Sequence, residues 1–398
     1  MQRSTDRILT THTGSLPRPA ELTTLLEAKE HKQPYDTYVF ADQVRRATAE
    51  IVRQQVSHGV DIVNDGETGK VGYSTYVTDR LTGFDGSATP LAIADLADFP
   101  TYAERLFRGT VIETMSRPAC TGPIQYKSTT EVTTDIANLH AALSGVPVRE
   151  AFMSAASPGV ISLFLKNDYY PSHEAYLMAL AEAMKTEYMA IHNAGLLLQI
   201  DCPDLAMGRH IQFADASLAE FRKNLELHIA ALNHAVADIP PEQMRIHLCW
   251  GNYEGPHHRD VPLRDIIDLI VKVRPAGISL EAANPRHEHE WQVFTDYKLP
   301  AGKVIIPGVL DSTSNYIEHS ELIAQRLCRF AEVVGRENVI AGTDCGFATF
   351  ALDPQKYLTE VPLISRPRPT VTELIGIVLA EFAAPLPYRL VGHNHPAL

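Results

Sequence analysis

Two hydrophobic patterns alternate along this chain. Short, nearly continuous apolar runs, often β-branched, end abruptly in polar groups. Longer stretches between them return an apolar residue every three or four positions. Eight short runs stand out: RILTTHTGS (7–15), GVDIVNDGE (59–67), REAFMSAASPG (149–159), LLLQID (196–201), MRIHLCWG (244–251), GISLEAA (277–283), KVIIPGVLD (303–311) and NVIAGTDCG (338–346). Such runs predict strands buried on both faces. The segments 41–59, 173–195, 217–238 and 319–335 carry the 3.6-residue period and strong helix formers, and predict helices. Strand followed by helix, repeated, predicts an α/β fold with a parallel sheet, and eight such strands predict a closed (β/α)8 TIM barrel. The interval 60–150 is too long for one crossover. Residues 68–148 are therefore expected to be an elaborated insertion after the second strand, an excursion over the barrel mouth in which TYVTDRLTGF and RPACTGPIQYKS supply hairpin or loop structure. No repeat, low-complexity tract or linker interrupts the chain, so residues 1–398 are read as a single barrel domain.

Composition narrows the partners. With 398 residues, 45% hydrophobic and 21% charged, the chain can bury a large core. A net charge of −13 argues against a nucleic-acid or anionic-membrane partner. No apolar segment of signal-peptide length opens the sequence, and no run of about 18 apolar residues occurs, so a cytoplasmic location is expected. Five cysteines (120, 202, 249, 328 and 345) do not make a disulfide framework in so long a chain. Each is by default a small buried hydrophobe.

Candidate chemistry collects where the strands end, which in such a barrel is where active sites form. The first strand ends in His12 and Ser15, the second in Asp65 and Glu67, and the fourth in Asp201. The fifth carries His247 and Cys249, the sixth Glu281, the seventh Asp311, and the eighth Asp344 and Cys345. So many polar groups are costly in a barrel interior unless paired, metal-bound or facing a wet pocket. His247 and Cys249, two apart in a strand, lie on one face. Taken alone, the pair is read as plain burial; Glu281 and Cys345 at matching strand ends turn the reading toward metal. Imidazole, carboxylate and two thiolates form a set that zinc accepts. Three negative ligands leave a Zn2+ ion poor at polarising a carbonyl but suited to holding an incoming thiol as its thiolate. The expected chemistry is thiolate attack on an electrophilic carbon.

At these residues the chain resembles the catalytic half of cobalamin-independent methionine synthase. TTHTGSLPRP is similar to that family's first-strand homocysteine loop, NDGE to its folate-site acidic motif, and LLLQIDCPDL to its fourth-strand QIDEP run; SRPA, IHLCWGN, ISLEAAN, IPGVLD and AGTDCG complete the set in order. The resemblance implies zinc ligands His247, Cys249, Glu281 and Cys345, with Glu281 the labile one. It implies that Ser15 contacts the carboxylate of a homocysteine-like acceptor, that Asp201 holds its amine, and that Glu67 lies where the family binds the pterin of methyltetrahydrofolate. Glu67 and Asp311 are thus the catalytic candidates, and Ser15, His12 and Asp201 the substrate-binding ones. The implied reaction is methyl transfer to homocysteine.

There are departures. The full-length synthase's amino-terminal barrel has no counterpart here. The family's seventh-strand D-I-H-S reads Asp311-Ser312-Thr313-Ser314, which puts a hydroxyl where the proton-donating histidine stands. The glutamate of its DEP motif is Cys202, and a tryptophan expected to line the pterin site has no match near ISLFLKNDYYP. These changes fall mostly on the methyl-donor side. GVLDSTSNYIEH is similar instead to the short, single-barrel relatives, including epoxyalkane:coenzyme M transferase. A second reading therefore stays open, in which a coenzyme M-like thiol meets a non-folate electrophile such as an epoxide.

The histidine clusters GPHHRD (255–260) and RHEHE (286–290) follow the fifth and sixth strands. They are read as solvated polar loops, against a second metal site, with His257 and Arg286 as candidate anion contacts. His12 is either a pocket contact or a satisfied strand-end histidine. Asp311 and Asp344 position substrate, orient the ligating histidine, or cap the following loop. Arg18 is read as exposed, Tyr169 and Tyr170 as loop packing, and Cys120, Cys202 and Cys328 as structural. A barrel-type zinc hydrolase would carry H-x-H on the first strand, where this chain has His12-Thr13-Gly14, and no G-x-G-x-x-G follows a strand to bind a nicotinamide cofactor. A non-enzymatic zinc protein would not need Ser15, Glu67 and Asp201 beside the metal. A homo-oligomeric state is left open.

Overall fold

The computed structural model describes residues 1–86, 92–107, 117–314 and 317–349. Ten strands are present among them: β1 (Leu9–Thr10), β2 (Ile62–Asn64), β3 (Phe84–Asp85), β4 (Ala119–Cys120), β5 (Glu150–Ala156), β6 (Leu197–Asp201), β7 (Met244–Leu248), β8 (Gly277–Leu280), β9 (Val304–Pro307) and β10 (Ile340–Ala341). The eight runs expected to be strands appear as β1, β2 and β5 to β10, while β3 and β4 form an antiparallel pair of their own.

Six of these strands make one curled parallel sheet, ordered β2-β5-β6-β7-β8-β9, a half-barrel. Its strands β6 to β9 are buried along their whole length, as a sheet covered on both faces requires. β1 pairs in parallel with β10. Isolated parallel bridges join Ile305 to Val339 and Gly308 to Gly342, beside β9 and β10. At the other edge, the Asp61 N–H donates to Thr10 O at 3.2 Å and Thr11 Oγ1 to Ile62 O at 3.0 Å. Register decides which side chains meet at the strand ends. Asp201 lies opposite His247, and Leu248 opposite Leu280, so Cys249 and Glu281 leave adjacent strands side by side.

The helices have readable causes. His173–Asn193 starts at Ser172, whose side chain accepts from the Ala175 N–H. Leu218–Ala235 opens on a capping box made by Ser217 and Glu220. Helix Thr130–Leu143 packs against both Thr37–Ser57 and His173–Asn193, the place of a crossover helix between β2 and β5. The interval expected to be one excursion thus divides into an inserted part before residue 130 and a helix of the regular layer after it.

Two devices tie the inserted part down. The β3–β4 pair sets Phe84 against Cys120 and Asp85 against Ala119, next to an antiparallel bridge from Leu81 to Tyr126. Gly83 has φ +86°, and a Cβ there would lie 2.6 and 2.8 Å from the carbonyl oxygens of Gly122 and Pro123, so the close approach needs glycine. Beside it, Tyr76 and Tyr126 each donate to Glu187 at 2.7 Å, and Arg80 pairs with the same carboxylate at 2.8 Å. Burial pushes the Glu187 carboxyl up, but the Arg80 and Lys70 cations and the two phenols outweigh it and leave its pKa below the usual value.

Under the strand ends lies a polar layer that the apolar pattern hid. Arg245, 1% exposed, donates to Gln199 Oε1 at 2.8 Å, Thr11 Oγ1 at 2.9 Å and His12 O at 2.8 Å. Its guanidinium lies 3.6 Å from the centroid of Phe152. Among the described residues no helix is long and apolar enough to cross a membrane.

Candidate metal centre

β7 and the turn after it put Arg245, His247 and Cys249 on one face at intervals of two. Cys345 arrives from the turn after β10. His247, Cys249 and Cys345 each offer a ligand atom within 4.8 Å of the others, and all three are buried. His247 Nδ1 lies 3.4 Å from Ser279 Oγ, which leaves Nε2 for a metal. Burial and the Arg245 cation lower the His247 pKa to about 3, so its imidazole is neutral. Burial, then Cys249 and the acids Glu281 and Asp344, push the Cys345 thiol well above its ordinary value. Neutral imidazole is the form that ligates, and a divalent cation is what converts buried thiols of this kind to thiolates. The donor set therefore fits a soft or borderline divalent metal.

Glu281 borders this trio. Its Oε1 accepts from the Trp250 N–H at 2.7 Å and lies 3.8 Å from Cys345 Sγ; its Oε2 accepts from Asn284 Nδ2 at 2.7 Å and Arg286 at 3.1 Å. Asp344 holds the loop that carries it, accepting from the N–H groups of Ala282, Ala283 and Asn284 at 2.8–2.9 Å. Burial and the Glu281 charge push Asp344 up to about 7, against the pull of these donors. Of the three roles open to Asp344, this geometry is that of a loop-positioning residue.

Around the trio, Ser15 faces the residue after Cys345: a Cβ on Gly346 would lie 2.0 Å from Ser15 Oγ, and Ser15 O accepts the Phe347 N–H at 3.0 Å. Asp201 accepts from Gln199 Nε2 at 2.8 Å. Burial and then the Glu67 charge raise the Asp201 carboxyl to about 8. Glu67 has a positive φ of 56°, accepts from Ser154 Oγ at 2.7 Å through Oε1, and keeps Oε2 buried without a partner. Its Oε1 would lie 2.6 Å from a Cβ at Gly14, so the first-strand loop passes directly over it.

Other candidates are placed elsewhere. The His12 ring hydrogen-bonds Gln55 Oε1 at 2.8 Å and stands edge-on to Phe152, within the packing of helix Thr37–Ser57 on β1. Asp311 Oδ1 accepts both the Thr313 N–H at 2.8 Å and the Thr313 hydroxyl at 2.7 Å, closing its own turn. Tyr170 packs in its loop, its hydroxyl accepting the Ile124 N–H at 2.9 Å.

Two expectations are corrected. Arg18 is 6% exposed rather than solvated, because its guanidinium donates to the carbonyls of Glu67, Lys70 and Ala348. The histidine loops are solvated only in part: His258 and His289 are exposed, but His257 and His287 are 4% and 3% exposed and both face Asp260. Three residues of the site were not anticipated. Arg245 and Gln199 form its floor, and the Tyr73 phenol is close enough to Cys249, Asp201 and Cys345 that, after burial, their charges raise its pKa. For Arg245 the signal was present, as a cation inside an apolar strand two residues before His247.

A parallel α/β sheet with an imidazole–dithiol trio gathered at its strand ends defines a class of metal-site enzyme scaffold. The chain belongs to the family described as cobalamin-independent synthase, catalytic domain, whose model matches residues 8–356. It is 23% identical over 337 residues to a methionine synthase of Pyrococcus furiosus, covering 84% of each chain. It is 26% identical over 349 residues to a 5-methyltetrahydropteroyltriglutamate–homocysteine methyltransferase of Nitratidesulfovibrio vulgaris, of which it spans 39%. It is also 23% identical over 381 residues to a 2-hydroxypropyl-CoM lyase of Xanthobacter autotrophicus, covering 88% of this chain and 89% of that one. Among solved structures, the B12-independent methionine synthase of Shewanella sp. W3-18-1 matches with TM-score 0.67 and 20% identity over 95% of this chain and 97% of that one, a likeness of fold.

Proposed function

We propose that this protein is a zinc-dependent thiol alkyltransferase whose default reaction is methyl transfer to homocysteine. The observation that carries this reading is the buried trio His247, Cys249 and Cys345. We take residues 1–398, of which 350–398 lie outside the described residues, as one domain and the eight parallel strands as a closed barrel, on the bridges beside β9 and β10 and the hydrogen bonds between β1 and β2. A cytoplasmic setting, which keeps the thiols reduced, belongs to the same reading.

His247, Cys249 and Cys345 would hold Zn2+, with Glu281 as the exchangeable fourth ligand because both its oxygens already have other donors. Zinc bound there supplies the charge that keeps a substrate thiol deprotonated at neutral pH. The chain's own groups do the rest. Ser15 orients the carboxylate of the amino-acid thiol. Asp201, raised to about 8, takes up its negative charge when the substrate ammonium arrives beside it. The unpartnered Oε2 of Glu67 waits for a donor on the electrophile, and Asp311 holds the turn on that side.

A second reading is favoured by one feature: the Thr313 hydroxyl is committed to Asp311 and is no general acid near neutrality. Ring opening of an epoxide by a coenzyme M-like thiolate forms the C–S bond, breaks the C–O bond and leaves an alkoxide that water can protonate in place of a resident acid, and the lyase relative matches along its length. Zinc X-ray absorption with and without each thiol tests both. Homocysteine is expected to add one sulfur scatterer at about 2.3 Å and remove one oxygen. If only coenzyme M does so, the second reading stands; if neither thiol alters the shell, the proposal fails.

A further inference from the structure

A second cluster, with two of its three residues buried, shares no residue with the trio. Asp95 belongs to the short helix Ala94–Ala97 of the inserted segment, His210 to the loop after β6, and Asp260 to the loop after β7. Their ligand atoms fall within 4.8 Å of one another. The His210 ring is 1% exposed, and neither of its nitrogens has a hydrogen-bond partner. Yet Nδ1 is approached by Asp260 Oδ1 at 3.2 Å and Asp95 Oδ2 at 3.8 Å.

Two carboxylate oxygens converging on one imidazole nitrogen are poorly served by a proton. One N–H can point at only one of them, and here it meets hydrogen-bond geometry with neither. Around a divalent ion with bonds of about 2.1 Å, neighbouring ligand atoms stand about 3–3.5 Å apart without needing to point at each other. The approach distances match such a shell, slightly opened toward Asp95.

The remaining oxygens are already held. Asp260 Oδ2 faces His257 Nδ1 at 3.2 Å and His287 Nε2 at 3.2 Å, and His287 is itself held by Glu290 at 2.8 Å. Asp95 Oδ1 accepts the Arg259 N–H at 2.8 Å, while Oδ2, the oxygen turned toward His210, also accepts from the Tyr253 hydroxyl at 3.1 Å. Carboxylate–histidine supports of this kind orient metal ligands. His257 keeps a positive φ of 48°, a conformation rare outside glycine that the surrounding contacts impose.

We infer that Asp95, His210 and Asp260 bind a second divalent metal ion, which fastens the inserted segment to the loops after β6 and β7. A set of two carboxylates and one imidazole suits a first-row ion such as Zn2+ or Mn2+, and its lack of sulfur separates it chemically from the trio.

The test is metal stoichiometry of the full chain loaded with Zn2+, then with Co2+ alone, in the wild type, the Cys249→Ser/Cys345→Ser double variant, His210→Ala and Asp260→Asn. Two equivalents are expected in the wild type and one in every variant. With Co2+, the His210→Ala and Asp260→Asn proteins should keep full thiolate-to-cobalt charge transfer, while the double-cysteine variant should show only the weak d–d bands of an oxygen–nitrogen site. Asp260→Asn preserves shape, so it reports on ligation if His210→Ala fails to fold. The inference is overturned if the wild type binds one equivalent that the cysteine variant abolishes, or if His210→Ala and Asp260→Asn still bind two. It does not depend on the thiol chemistry proposed above.

Discussion

Arg245 shows how one residue can govern a site it does not enter. Its three hydrogen bonds reach β6 through Gln199 and the first strand through Thr11 and the carbonyl of His12. Gln199 in turn steadies Asp201 at 2.8 Å. Arg245→Met would leave three buried acceptors without a donor, at a cost of roughly 3 kcal/mol. Urea denaturation should therefore show a lower midpoint with an unchanged slope; a midpoint equal to wild type would remove Arg245 from the floor of the site. His12 makes a pH prediction. Burial lowers its folded-state pKa to about 4 from an ordinary 6.5. Between those values the unfolded chain binds more protons, so stability falls as pH drops from about 6.5 through 4, by up to roughly 3 kcal/mol. His12→Leu should flatten that slope, and an equally steep profile would mean that another group carries it. The residues legible in advance were those where an apolar run stops on a polar group. Tyr73 was not, and Arg245 showed only as a cation inside an apolar strand, because their roles depend on what faces them across the sheet.

At the scale of elements, the strands announced themselves through unbroken apolar runs, while their bounds did not: β10 is two residues long inside a run of nine. The hairpin segments were visible because Gly and Pro punctuate them. The division before helix Thr130–Leu143 was not, since its helical period does not say which layer it joins. The histidine loops looked solvated by composition, yet the His257 and His287 rings are buried because Asp260 gathers them, a pairing between loops that follow different strands. The contact between the first-strand loop and the turn after β10 yields a further prediction. Gly346→Ala would place a methyl 2.0 Å from Ser15 Oγ and displace it. Metal content should be unchanged while KM for the thiol rises roughly tenfold to a hundredfold, and adding Ser15→Gly should restore room but not affinity. An unaltered KM would take Ser15 out of the substrate contacts.

For the whole molecule, the trio joins strands that are not neighbours. His247 and Cys249 leave β7, Cys345 leaves β10, and β8 and β9 lie between them. An ion held by these three residues therefore spans the curled sheet from the middle of the six-stranded part to the β1–β10 pair. Among the described residues, isolated bridges, a few backbone bonds such as Gly342 N–H to Pro307 O and Asp61 N–H to Thr10 O, and side-chain bonds join that pair to its neighbours. A ligand that binds only the folded state stabilises it by RT ln(1 + [L]/Kd), about 2.7 kcal/mol at a hundredfold excess over Kd. Zinc should accordingly raise the melting temperature of the metal-free protein in a saturable titration. Cys345→Ser should lose that part of the rise which His210→Ala keeps, because the two substitutions address separate ions. Hydrogen exchange should place the protection gained through the trio at β1 and β10, where pairing is shortest. Protection confined to the loops after β6 and β7 would assign the stabilising ion to Asp95, His210 and Asp260 instead, and would leave the trio without a part in closing the sheet.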